Sequence, residues 1–84
     1  MTGHIAEHER AVVTRDFPEL GLVAGDVGVV VHIHRAAGGG EPVGYMLELF
    51  SLDGESLREE SLPADAVRSV TANDLMHARP VAAE

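Results

Sequence analysis

Apolar and polar positions alternate in short stretches separated by glycine- and proline-bearing links, which is the spacing of strands rather than helices. The first stretch is Arg10-Ala11-Val12-Val13-Thr14, whose β-branched residues suit a pleated surface. From Asp16 to Leu22, Pro18 and Gly21 punctuate an irregular loop. Phe17, Leu20 and Leu22 are too apolar for a free loop, so it is expected to fold back over the core. Ala24-Gly25-Asp26-Val27-Gly28 reads as a turn entering a strand, with Gly25 supplying a positive φ. That strand runs from Val27 to about His34. A period of two places Val27, Val29, Val31 and Ile33 on one face and Gly28, Val30, His32 and His34 on the other.

Ala36 to Pro42 is a loose glycine-rich connector. Gly44 to Ser51 is the next strand, with Tyr45, Leu47 and Leu49 on one face and Met46, Glu48 and Phe50 on the other. Asp53-Gly54 is a hairpin signal, and Glu55 to Leu62 is the returning strand. Its alternation fails at Arg58-Glu59-Glu60, which predicts an edge strand or a bulge. Pro63 to Ala66 reads as one tight turn and Val67 to Val70 as a short final strand. Thr71 to His77 is predicted to form one helical turn, capped by Thr71 with Asp74 three residues on. Arg79-Pro80-Val81 reads as extended.

Four or five short strands with tight links and almost no helix favour a partly closed barrel, which removes most unpaired edges. The expected fold is all-β: a small SH3-like, partly open barrel of about five strands with a short helical turn near the C-terminus. An OB-like barrel is the alternative, although it usually needs more residues and a helix between its middle strands. Residues 1–9 are read as a flexible N-terminal segment in which Ile5 to Arg10 could form a helical turn. Residues 10–81 are read as the single domain and 82–84 as a flexible tail. A chain of 84 residues has room for one core.

Charge narrows the partners. There are 14 acidic residues against 6 basic ones, all Arg, for a net charge of -8. Nucleic-acid binding draws on clustered Lys and Arg, and anionic membranes select for the same residues, so neither partner is expected. A protein partner with a basic rim is compatible with this charge, and so is solubility alone. The absence of cysteine excludes disulfides and thiolate zinc sites. No signal-like apolar stretch follows Met1-Thr2-Gly3-His4 and no run approaches a membrane span, so the expected location is the cytoplasm.

The candidate chemistry is sparse. His32 and His34, two apart on a strand, point to one side and are weak candidate metal ligands, with His4, His8, His77 and Glu48 as conceivable additions. The plainer reading is two solvent-facing histidines, and no cofactor is expected. Ser51, Ser56, Ser61 and Ser69 lie outside any nucleophile elbow. Glu59 and Glu60 are adjacent on a strand, so they face opposite ways and cannot share a substrate. Gly38-Gly39-Gly40 lacks the lysine and following helix of a phosphate loop. Phe17, Tyr45 and Phe50 are too few aromatics for a proline-recognising groove. What remains is an apolar pair, Met46 and Phe50, around Glu48 on the face opposite the predicted core.

The pattern Phe17-Pro18-Glu19-x-Gly21-Leu22-x-x-Gly25-Asp26-x-Gly28-x-Val30-Val31 resembles a bacterial family of small proteins of unknown function, DUF4926. Tyr45 to Phe50, Asp53-Gly54-Glu55, Leu62-Pro63-Ala64 and Val67-Arg68 match later parts of its pattern, and the resemblance extends over about Arg10 to Val81. The chain departs at Arg58-Glu59-Glu60, where members are usually apolar. The resemblance implies a small β-barrel and no activity. It also suggests an antitoxin- or immunity-like pairing with a neighbour-encoded protein.

The reading is therefore a non-enzymatic protein–protein interaction module. Its predicted partner-binding residues are Met46, Glu48, Phe50, Glu55 and Glu59, the acidic hairpin from Asp53 to Glu60 serving as a steering rim. The alternatives are an accessory subunit or domain of a larger enzyme complex, and a metal binder through His32 and His34. A homodimer also fits an apolar face and a spare C-terminal strand.

Overall fold

The computed structural model describes residues 4–80, in which five strands form one antiparallel sheet. They are β1 (Arg10–Val13), β2 (Val27–Arg35), β3 (Pro42–Phe50), β4 (Ser56–Pro63) and β5 (Val67–Ser69). The order is β4-β3-β2-β1-β5, so β1 to β4 form a meander and β5 returns to the far side of β1. The sheet does not close: β4 and β5 are its edges. Two 3₁₀ turns, Pro18–Leu20 and Ala64–Ala66, are its only helical elements among the described residues.

The core follows the alternation of β1 and β3. Ala11, Val13, Tyr45, Leu47 and Leu49 all point inward and are buried. Val30 from β2, Leu62 from β4 and Val67 from β5 complete the cluster. Burying a side chain such as Leu47 completely stabilises the fold by roughly 1.5–3 kcal/mol. The loop after β1 does fold back: Leu22 is buried, and Phe17 and Leu20 pack against the same cluster. Hydrogen bonds between Phe17 and Leu22 pin its two ends together. Gly25 has the expected positive φ, 100°. Gly28 has a different role, because a Cβ there would lie 3.0 Å from both the Glu48 carbonyl oxygen and the Leu47 Cβ. Only glycine lets β2 approach β3 this closely without displacing a neighbour.

The faces of β2 differ from strict alternation. Register runs Val30↔Leu47 and then His32↔Met46, so Val31 is an extra residue at a β-bulge. Before the bulge Gly28 and Val30 face the core. After it Ile33, opposite buried Tyr45, faces the core, while His32 and His34 pair with the outward positions Met46 and Gly44. Val30 and the two histidines therefore lie on opposite faces, although sequence parity puts them together.

The irregular strand β4 is an edge with a register shift opposite Leu49 and Phe50. Its inward row is Arg58, Glu60 and Leu62, of which only Leu62 is buried. Arg58 and Glu60 pair with each other at 3.5 Å, and Arg58 also donates to the Leu20 carbonyl. Inward charges on an edge discourage pairing with other chains.

The helical turn falls earlier than the sequence suggests. Ala64–Ala66 makes a 3₁₀ turn, whereas Thr71 to Asp74 makes only a capped turn with no helix after it. There the Asp74 carboxylate accepts from the Thr71 backbone N–H, and the Asn73 N–H donates to the Thr71 hydroxyl. The local capping chemistry is present, but no apolar face packs a following helix. At the other end Ile5, within the segment read as flexible, is 3% exposed and packs in the core, its N–H donating to the Tyr45 hydroxyl. The fraying expected for 82–84 and the extended path expected at Val81 lie outside the described residues.

Candidate functional site

One end of the open sheet carries a groove of about 510 Å³. The start of β2, the end of β3 and the start of β4 converge there, and the segment from His77 to Pro80 forms one wall. Its apolar surface comes from Leu22, Val27, Leu49, Phe50, Leu52 and Leu57. Four of these remain substantially exposed: Val27 at 42%, Phe50 at 40%, Leu57 at 43% and Leu52 at 73%. Val27 begins β2, and the other three sit at or beside the β3–β4 hairpin, where the backbone closes through the Ser51 N–H to the Glu55 carbonyl and Gly54 adopts a φ of 92°.

Asp26 organises the opposite rim. The turn before β2 aims its carboxylate back at its own loop, where the Val23 N–H donates to Oδ2 at 2.9 Å. Arg79 then grips both oxygens, Nε to Oδ1 at 2.9 Å and Nη2 to Oδ2 at 2.6 Å. The same Nη2 donates to the Gly21 carbonyl at 2.8 Å. His77 Nε2 lies 3.0 Å from Oδ1, and its ring rests against Gly25, where a Cβ would lie 3.4 Å from Nδ1. This is a bidentate guanidinium–carboxylate pair, the stronger and more directional kind of ion pair. Burial pushes the Asp26 carboxyl up, but the hydrogen bonds from Arg79, Val23 and His77, with the Arg79 charge, hold it at about 2. A second bidentate pair, Arg68 with Asp74, fixes the chain between β5 and this segment. Arg68 is exposed and Asp74 half-buried, and the Arg68 hydrogen bonds hold the Asp74 carboxyl well below the usual carboxylate range.

The predicted partner-binding residues occupy related positions. Met46 and Glu48 are half-buried on the outward face of β3, and Glu59 stands directly opposite Glu48 on β4. Glu48 accepts from the Ser56 hydroxyl at 2.6 Å. Phe50 ends that row at the mouth of the groove, and Glu55 lies in the hairpin turn. His32 and His34 are neighbours on the outward face, with ring centroids 4.9 Å apart, and His34 Nε2 lies 3.0 Å from the Ser61 hydroxyl. Among the described residues no group of three or more His, Asp or Glu side chains is placed to hold a metal ion.

Sequence reasoning did not single out Asp26 or Arg79. Their hydrogen bonds span 53 residues, and no periodicity joins a turn aspartate to an arginine that far along the chain. The one available signal was an arginine in a segment of an otherwise strongly acidic chain.

Fold and groove together define a small all-β domain with one open antiparallel sheet, walled at one end by its own C-terminal segment. The family model described as Domain of unknown function (DUF4926) matches residues 7–69, and the chain belongs to that family. Comparison with curated proteins and with solved structures finds no match. The match covers all five strands and ends at Ser69, whereas the resemblance read from the sequence continued to Val81. The segment bearing His77 and Arg79 thus lies beyond the matched region. Among the described residues no helix is long and apolar enough to cross a membrane.

Proposed function

We propose that this chain is a non-catalytic protein–protein interaction module that binds its partner at the β3–β4 end of the sheet. The observation that carries the reading is the exposed apolar cluster of Phe50, Leu52 and Leu57 at a hairpin bearing Asp53, Glu55 and Glu59. An apolar centre with a charged rim is the arrangement of an interface rather than of a catalytic cleft. Met46 and Glu48 extend the surface along the outward face of β3. The strand order, with a 3₁₀ turn between β4 and β5, supports an SH3-like reading of the open sheet. The setting we infer is a bacterial cytoplasm, with a neighbour-encoded partner in an antitoxin- or immunity-like pair.

The test is the double substitution Met46→Ala with Phe50→Ala. Met46 is half-buried and Phe50 exposed, so the variant is expected to keep its cooperative melt. It should lose the stoichiometric partner that tagged wild-type protein brings down from its host. Recovery of that partner in equal yield by the variant would remove this surface as the site.

A further inference from the structure

We propose that the Asp26 carboxylate and the Gly21 carbonyl form a receptor for an arginine side chain on an extended peptide of the partner protein, with His77–Pro80 as the receptor's occupant in cis. This rests on the interaction reading and names the chemistry of its partner.

The contacts of the cis segment define the chemistry recognised. Of the four hydrogen bonds reaching the Asp26 carboxylate, one comes from the Val23 backbone and belongs to the turn itself. The other three come from His77 and Arg79. Release of the segment would leave a preformed carboxylate with both oxygens facing the groove and the Gly21 carbonyl beside it. A planar guanidinium fits this arrangement and an ammonium does not, because two parallel donors must meet two oxygens while a third bond reaches the carbonyl.

Two further observations assign the site to a partner. Gly21 and Asp26 lie inside the region matched by the family model, whereas His77 and Arg79 lie outside it. The family match therefore includes the receptor and ends before its occupant. The groove also continues from Asp26 to the exposed side chains of Phe50, Leu52 and Leu57, which the cis segment leaves uncovered. A longer peptide anchored at Asp26 would reach them. The net charge of -8 favours a basic ligand over an acidic one.

The cis segment then acts as a competitor. A tethered ligand works at an effective concentration of about millimolar, so a free peptide must outcompete it. The turn at Thr71 and the Arg68–Asp74 pair direct the segment back onto its own domain.

The experiment measures fluorescence anisotropy of a labelled synthetic peptide with the sequence of residues 74–84. It is titrated with the full-length wild-type chain and with full-length Arg79→Ala and His77→Ala/Arg79→Ala variants. The changes leave the five strands untouched, and thermal melts check this. The variants should bind the peptide at least about ten-fold more tightly than the wild type, because the tethered competitor is lost. A peptide with alanine at the Arg79 position should bind none of the three. Asp26→Asn in the double variant should abolish binding. If that protein melts abnormally, amide shifts at Gly21, Asp26 and Val27 on adding peptide to the double variant serve instead. Equal affinity of all chains for the peptide, or shifts confined to other regions, overturns the proposal. So does a wild-type dimer that the peptide dissociates, since the occupant would then be a second copy of this chain. The assay needs no native partner, so its failure is separable from a failed Met46/Phe50 pull-down.

Discussion

Asp26 is the residue on which the groove rim depends, and its ionisation is measurable. Its carboxyl lies at about 2 in the folded chain against an ordinary value of 3.8. A folded value below the unfolded one means that the ionised form stabilises the fold. That contribution is complete above about pH 4 and is lost as pH falls toward 2. With allowance for partial exposure it is about 1–2 kcal/mol. Arg79→Ala should raise the Asp26 value by about one unit or more in a carboxyl-carbon NMR titration. Urea melts between pH 2 and 5 should then show a flatter acid limb. An unchanged Asp26 titration would mean that the Arg79 contact is not populated in solution. The participation of Asp26 in a turn was legible from Ala24-Gly25-Asp26. Its four hydrogen-bond donors were not, because three of them come from the far end of the chain.

Among the elements, β3 and β2 illustrate what periodicity can and cannot carry. Tyr45, Leu47 and Leu49 alternate on an uninterrupted strand, so their burial follows from a period of two. The β2 pattern Val27 to Ile33 is apolar at nearly every position, so nothing in it marks the extra residue at Val31. The bulge answers to tertiary demands: Val30 must meet Leu47, and Ile33 must meet Tyr45. Deletion of Val31 should therefore leave Gly28, Val30 and Ile33 on the core face, with a cooperative melt and a loss of about 1–3 kcal/mol. Deletion of Val29 reverses the face of Gly28 relative to Val30 and should abolish the cooperative transition. Circular dichroism melts of the two proteins make the comparison. A well-folded Val29 deletion would show that the bulge can migrate to absorb the change. The charged β4 was read as an edge or a bulge from Arg58-Glu59-Glu60, and it has both features.

For the whole molecule, the net charge of -8 sets the kinetics of the proposed association. A basic partner would be steered by the acidic surface, whereas the apolar contacts at Phe50 and Leu57 would govern dissociation. The association rate constant with the captured partner should fall about ten-fold or more between 0.05 and 0.5 M salt, with dissociation little changed. Surface plasmon resonance across that range reads both rates. A salt-independent association rate would remove steering by the acidic rim. The same charge separates the two proposed contacts, since the arginine at Asp26 is a partly buried pair that salt screens less.

The sequence by itself determined the all-β class, the number and approximate limits of the strands, the inward residues of β3, and the family. Those are local properties: β-branched residues, alternation and glycine-bearing turns act over a few neighbouring positions. Tertiary structure decided where alternation shifts in β2, because core residues from two strands had to meet. It brought Ile5 into the core because Tyr45 and its neighbours leave an apolar site for it. It also joined Arg79 to Asp26, since a contact across 53 residues depends on the path of the whole chain. No local pattern encodes that path.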